Sequence, residues 1–114
     1  MHQTSLQPEQ LDSVFTALGH TKRREMVNTL AFAPATVKQL ADAQQISLPA
    51  IHKHIRILEE AALIQRKKVG RTNFVAIDRN GLLAAQSWLA QYHAYWGSNK
   101  ETLENYIASL EDNK

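Results

Sequence analysis

Cysteine is absent from the chain, so disulfide bonds, thiolate metal sites and redox sensing through thiols are excluded. Long apolar stretches are absent too, because no run reaches the roughly 18 residues that a membrane-spanning helix requires. The first ten residues lack the charged segment followed by an apolar segment that marks a secretion signal. We therefore expect a cytoplasmic protein with no membrane partner.

Catalytic motifs are also missing from the sequence. It contains no glycine-rich phosphate loop and no cysteine nucleophile, and its serines have no defined base and orienting partner. Glu59 and Glu60 are neighbours at a helix end and do not face a common site. We expect a protein that is not an enzyme and binds no cofactor.

Positive charge is concentrated in the middle of the chain. The 114 residues carry a net charge of only +2 and are enough for one domain. Between residues 20 and 79, however, eleven Lys or Arg face five Asp or Glu, a local balance of +6, while each flank has −2. This distribution is typical of a surface that binds duplex nucleic acid.

Residues 47–60 have the pattern of a capped amphipathic helix. Ser47 can accept a backbone N–H in the first turn, where Pro49 is also tolerated. The apolar stripe consists of Ile51, Ile55 and Leu58, with Ala50 and His54 beside it. The opposite face carries Leu48, His52, Lys53 and Arg56. Donors beside an apolar tip suit a DNA major groove, although the same face is also typical of a solvated surface helix.

The segments on both sides of this helix favour DNA binding. Upstream, Thr36 and Gln39 have the spacing of a capping box, so a short helix begins there and residues 43–46 connect it to Ser47. Two helices joined in this way form a helix-turn-helix. Downstream, residues 63–69 fit a basic strand, 70–73 a turn and 74–77 a returning strand. The hairpin would place Arg71 at its tip, as a minor-groove or phosphate contact requires.

These features predict a mainly α fold with a small β-hairpin wing, a winged helix-turn-helix. The run from Ala17 to Ile77 resembles the ArsR (arsenic-repressor type) family of bacterial transcription regulators. Its most specific pieces are Lys22-Arg23-Arg24, Ser47 and Pro49 through Ala61, Leu63-Ile64 and Gly70-Arg71. The resemblance implies a homodimeric repressor that binds double-stranded DNA at an imperfect palindrome near its own promoter.

The resemblance also assigns contacts. Base contacts in such proteins come from the first half of the recognition helix, which here means Leu48, Pro49, His52 and Lys53 beside the cap Ser47. We expect phosphate contacts from Arg23, Arg24, Lys53, Arg56, Lys68 and Arg71, with the wing at residues 66–73.

Several residues depart from the family pattern. His20-Thr21 replaces the common Asp-Pro, so we expect Thr21 to cap the second helix. Ala62 stands where a glycine usually ends the recognition helix, so the left-handed position there is strained or replaced. Leu48 and His52 replace small or amide-bearing side chains, which indicates a different operator sequence.

The metal sites of this family lack their ligands here. Cysteine-based sites are impossible, and Asp78 with His93 gives two of the four ligands that a zinc site needs. Lys53 between His52 and His54 would repel a cation. The series Trp88-Leu89, Tyr92 and Trp96 resembles that of cysteine-free members without metal sites. We expect no metal, and an unidentified small organic inducer stays an open alternative.

The last third of the chain has a heptad seam. Leu82, Leu89, Trp96, Leu103 and Leu110 are spaced by seven, interrupted at Gly97-Ser98 where the helix is expected to kink or break. Packing onto the chain's own core explains part of the seam, and a partner helix the rest. We expect a homodimer whose interface contains Leu11, Phe15, Leu89, Tyr92, Trp96 and Leu103.

The expected organisation is a single domain with three parts. Residues 1–19 and 78–114 dimerise, and residues 20–77 form the DNA-binding winged helix. The alternative is a winged-helix module that binds a protein instead of an operator, and the basic clusters argue against it.

Overall fold

The computed structural model describes the backbone of residues 8–96 and 102–112 and the side chains of residues 8–92 and 103–112. These ranges contain six helices and three strands, so the mainly α fold class is confirmed. They are α1 (Pro8–Leu18), α2 (Thr21–Phe32), β1 (Ala35–Thr36), α3 (Val37–Gln44), α4 (Leu48–Glu60), β2 (Ile64–Val69), β3 (Thr72–Ile77), α5 (Arg79–Trp96) and α6 (Thr102–Asp112). The predicted interruption at Gly97-Ser98 lies outside the described residues.

The sheet is antiparallel, with the strand order β1-β3-β2. The predicted hairpin is present as β2 and β3, but its turn is shorter than expected: Val69 pairs with Thr72, which leaves only Gly70-Arg71 in the loop. Gly70 has φ +63° while Arg71 does not adopt a positive φ, the pattern of a type II′ turn, whose twist matches that of the strands. The prediction that residues 72 and 73 belong to the turn was wrong because this tight turn needs two residues.

The core lies where α1–α5 and the sheet meet. Its largest fully buried side chains are Val14, Met26, Leu40, Ile51, Ile55, Leu58, Leu63 and Val75. The predicted stripe of α4 is therefore confirmed, since Ile51, Ile55 and Leu58 are 0% exposed. Burying each contributes about 1.5 to 3 kcal/mol, so the orientation of α4 about its axis is strongly set.

Helix α3 begins with the predicted capping box. Thr36 Oγ1 accepts the N–H of Gln39 at 3.0 Å, and Gln39 Oε1 accepts the N–H of Thr36 at 2.9 Å. At the other end, Gln45 takes the left-handed conformation with φ 56°. Its N–H donates to a carbonyl of the last turn of α3, so the chain reverses toward α4 without a glycine.

Helix α4 is capped at both ends. Ser47 Oγ accepts a first-turn N–H at 3.3 Å, as predicted. Ala62 has φ 56°, and its N–H donates to the Glu59 carbonyl while the N–H of Leu63 donates to the Leu58 carbonyl, both at 3.0 Å. This is a Schellman motif with alanine in the position that glycine usually occupies. Of the two expected possibilities, Ala62 therefore keeps the strained left-handed conformation and does not replace it.

Helix α2 begins at Thr21, one residue before the start that a cap at Thr21 would give. His20 is the N-cap, with Nδ1 accepting the N–H of Lys22 at 3.2 Å, and Thr21 is already helical. The prediction of Thr21 as the cap was wrong because the imidazole nitrogen reaches the first-turn N–H.

Helix α5 begins against the carboxyl end of α4. Asp78 Oδ1 accepts the N–H of Asn80 at 3.0 Å, and the N–H of Gly81 donates to the Ala62 carbonyl at 2.8 Å. A Cβ on residue 81 would lie only 2.5 Å from the Ala61 carbonyl oxygen. Glycine therefore lets α5 dock closely beneath the recognition helix. Among the described residues, no helix is long and apolar enough to cross a membrane.

Candidate nucleic-acid interface

The predicted base contacts share one side of α4 with the predicted phosphate contact Arg56, and we call this side the recognition face: Leu48, Pro49, His52, Lys53 and Arg56. Their spacing of three and four residues places them on one helical surface, opposite the buried stripe. Leu48 is 51% exposed, Lys53 and Arg56 are exposed, and His52 is half-buried. The face thus offers cationic donors around one exposed apolar side chain.

The wing continues this charged surface beyond α4. On β2 every residue after Ile64 is exposed, and Arg71 lies exposed in the turn. The predicted contacts Lys68 and Arg71 therefore lie on the same hairpin, with Lys67 beside them. No ion pair is recorded for these three cations in the described part of the chain, so their charge is available to an anionic ligand.

One cation of the wing has a different role. Arg66 donates from Nη2 to Glu59 Oε1 at 2.9 Å and from Nε to Glu59 Oε2 at 3.3 Å. The two-bond geometry ties the last turn of α4 to the first half of β2. Sequence analysis did not single out this pair, because nothing in a seven-residue separation across a helix end indicates contact. The pair is a direct contact between the recognition helix and the wing.

Arg23 and Arg24 are adjacent in α2, but Arg23 is buried and Arg24 is exposed. Arg24 is exposed and donates to the Leu18 carbonyl at 2.6 Å. Arg23 is only 8% exposed and donates from Nε to the Ala17 carbonyl at 2.7 Å and from Nη2 to the Thr16 carbonyl at 3.1 Å. The prediction of Arg23 as a phosphate contact is therefore revised: its guanidinium is occupied by the carbonyl end of α1.

Arg23 also belongs to a histidine cluster, formed by His20, Arg23 and His54. Arg23 Nη1 lies 3.2 Å from His54 Nδ1, and the rings of His20 and His54 meet edge to face with centroids 4.9 Å apart. Burial lowers the pKa of His54 below its ordinary value, and the charges of His20, Arg23 and Lys22 lower it further. The sequence placed His54 beside the buried stripe, but not in contact with α2.

A separate apolar surface lies on α1 and α5, and we call it the α1–α5 face: Leu11, Phe15, Trp88, Leu89 and Tyr92. Phe15 packs edge to face on Trp88 at 5.6 Å, and Trp88 contacts Tyr92 at 4.9 Å. Leu89 is nevertheless 54% exposed and Tyr92 47%. Beside them an apolar depression of about 570 Å³ is lined by Leu18, Leu82, Ala85, Gln86, Leu89 and Ala90.

The remaining predicted interface residues are Leu103 and Trp96. Leu103 on α6 is 69% exposed, and the side chain of Trp96 lies outside the described ones. Trp88 lies on the same face, in contact with Phe15 and Tyr92. Over the described residues, no cluster of three or more His, Asp or Glu side chains is suited to a metal ion.

Comparison with known proteins identifies relatives of the whole arrangement. Residues 20–66 match the profile of the bacterial regulatory proteins of the arsR family. The HTH-type transcriptional regulator Rv2034 of Mycobacterium tuberculosis is 31% identical over 81 residues, 71% of this chain and 76% of the relative. The transcriptional repressor SdpR of Bacillus subtilis is 24% identical over 82 residues, 72% of this chain and 91% of the relative.

A solved structure agrees with these sequence matches. The crystal structure of an ArsR family transcriptional regulator superposes with a TM-score of 0.75 and 37% identity, over 83% of this chain and 98% of that chain. The family profile at residues 20–66 runs from α2 to the start of β2 and so includes the helix-turn-helix. The chain therefore belongs to the ArsR family, and it is a transcriptional regulator with a DNA-binding winged helix-turn-helix.

Proposed function

We propose that the protein is a homodimeric repressor that binds an imperfect palindrome, with α4 in the major groove of each half-site and the wing against the flanking backbone or minor groove. The observation that carries this proposal is the exposed recognition face of α4, followed along the chain by the exposed cations of the wing. The ion pair between Glu59 and Arg66 joins α4 to the wing. The relative SdpR is named as a repressor, which supports the direction of regulation.

Each side chain has an expected role at the operator. Leu48, Pro49, His52 and Lys53 lie at the amino-terminal half of α4, the end that enters the groove in helix-turn-helix proteins, and Ser47 begins that helix. We propose phosphate contacts for Arg24, Arg56, Lys68 and Arg71, which are all exposed. Arg23 is left out because its donors are used inside the protein.

The α1–α5 face is the surface that we propose to join the two copies of a symmetric dimer. Two recognition helices fit a palindrome only if they are held about one DNA turn, roughly 34 Å, apart. The exposed aromatic and leucine side chains of α1 and α5 form a large apolar patch, the kind of surface that a protein partner covers. We propose that a second copy covers it, and that Leu103 and Trp96 extend the contact.

The proposal is tested by mobility shift with the DNA upstream of the protein's own gene and with a shuffled duplex of the same length. Binding should weaken steeply with salt, with a log-log slope near −5 if about six phosphates are neutralised. Lys53→Ala should reduce the preference for the upstream DNA by about 1 to 3 kcal/mol, whereas Arg71→Ala should weaken both duplexes similarly.

Arg79→Gln is the matched control, since it removes one exposed positive charge at the start of α5, outside the recognition face and the wing. It should leave the preference for the upstream DNA unchanged. A flat salt dependence, or equal affinity for both duplexes, would contradict the proposal and favour a protein-binding module.

A further inference from the structure

The histidine cluster joins the recognition helix to the corner between α1 and α2. Two carbonyls at the end of α1 hold the Arg23 guanidinium through Nε and Nη2, so its third donor has a fixed direction. That donor points to Nδ1 of His54, in the middle of α4. His54 directly follows Lys53, so the contact is one residue from the recognition face.

The chemistry of this contact determines the proton on His54. Arginine has only donors, so Nδ1 must accept and the proton of the neutral ring is on Nε2. A second proton on Nδ1 would place two N–H groups against each other across 3.2 Å and put a second cation beside a guanidinium with little solvent contact. The contact is therefore made by the neutral ring alone.

We propose that Arg23 and His54 are a positioning pair for α4, which adds to the buried stripe a further hold on the recognition face that exists only while the His54 ring is neutral. This inference rests on the proposed function. Arg23 and His54 would not contact the DNA themselves, but they would make the affinity for the operator depend on pH.

The charges around His54 all act in the same direction. From the α2 side it meets His20, Lys22 and Arg23, each of which lowers its pKa. The other neighbours of the cluster are backbone carbonyls: those of Thr16 and Ala17 at the end of α1 and, bonded to Lys22 Nζ at 3.1 Å, that of Gln44 at the end of α3. Of the acidic side chains the structure describes, none counts among the charges that act on His54.

The expected effect of acid on DNA affinity is opposite to the ordinary one. Acid ordinarily adds positive charge to a DNA-binding surface and so favours binding to the phosphates. Protonation of His54 breaks the pair with Arg23 and disfavours it. At the pH where half of the His54 rings are protonated, half of the subunits lack the pair, so a dimer should bind its operator up to about fourfold more weakly.

The experiment compares wild type with His54→Asn from pH 7.5 to 5.5 by operator titration. The amide oxygen of Asn occupies about the place of Nδ1, accepts from Arg23 and does not titrate. We expect equal affinities at pH 7.5 and loss of affinity in acid for the wild type alone. A loss of affinity in acid that persists in His54→Asn, or a wild-type affinity that changes with pH in the same way as that of His54→Asn, overturns the inference.

Nitrogen NMR of the imidazole rings tests the pair without DNA. Neutral His54 should carry its proton on Nε2, and in Arg23→Gln its midpoint should move to higher pH, while Arg79→Gln leaves it unchanged. A proton on Nδ1 overturns the inference using wild-type protein alone, so it is decisive even if Arg23→Gln fails to fold. Failure to bind the operator at pH 7.5 would instead refute the proposed function, and the ring titration would still decide the pair.

Discussion

Replacing Gly81 with alanine should destabilise the protein although alanine is the better helix former. The new Cβ would lie 2.5 Å from the Ala61 carbonyl oxygen and 2.8 Å from that of Ala62. Both contacts are to backbone at the end of the recognition helix, so no side chain can rotate to relieve them. Helix α5 must move away, which also lengthens the 2.8 Å hydrogen bond from Gly81 to Ala62.

The opposing contributions can be compared. Alanine gains about 1 kcal/mol in helix propensity. Overpacking costs about 1 to 3 kcal/mol, and the weakened hydrogen bond about 1 kcal/mol more. The net loss should be about 1 to 3 kcal/mol, and it should also weaken DNA binding because α5 and α4 meet at this point.

Urea unfolding at fixed protein concentration measures this difference, since the stability of a dimer depends on concentration. Gly70→Ala is the control: residue 70 has φ +63° but no atom within 4 Å of a new Cβ, so it should lose only about 1 kcal/mol through backbone strain. If Gly81→Ala unfolds at the same urea concentration as wild type, or at a higher one, the close approach of α5 to α4 is not a constraint and the argument fails.

Three further predictions concern the left-handed residue that ends α4, the α1–α5 face and the pH dependence of folding stability. Ala62→Gly should stabilise the protein by up to about 1 kcal/mol, because the relief of a left-handed alanine exceeds the entropy cost of glycine, and urea unfolding would show no gain if that conformation is unstrained. Leu89→Ala combined with Tyr92→Ala should give monomer by light scattering at micromolar concentration, with operator affinity falling more than affinity for shuffled DNA; a double variant that stays dimeric would assign these side chains to core packing. Folding stability should decline as the pH falls below about 6.5 toward the lowered pKa of His54, since the unfolded chain takes up the proton first, and His54→Asn should remove that part of the decline in urea titrations at several pH values.

The sequence predicted those features whose causes are local. Ser47 and the capping box of α3 involve atoms three residues apart, and the stripe of α4 follows from helical periodicity. Strand β1 was missed because it has only two residues, and it exists through pairing with β3 nearly forty positions later.

The candidate site was predicted less completely, for a similar reason. Arg23 follows Lys22 and precedes Arg24, and such a basic run is normally exposed. Its burial depends on where the chain reversal between α1 and α2 directs two carbonyls, and that direction is set by tertiary packing. The pair of Glu59 and Arg66 likewise depends on how β2 leaves α4. The sequence showed which residues are cations, but contacts between helices and strands determine which of these cations are available to bind DNA.

The position of β2 at the rim of the sheet has a consequence for the protein before it meets DNA. Its outer edge has no neighbouring strand in the described part of the chain, and such an edge can pair with the edge of another molecule. Arg66, Lys67 and Lys68 follow one another there, and two copies brought edge to edge would place these cations together. The positive charge of the wing thus opposes self-association of the unbound protein as well as attracting phosphates. A wing made neutral to weaken DNA binding would lose both properties, and its insolubility would follow from strand pairing rather than from unfolding.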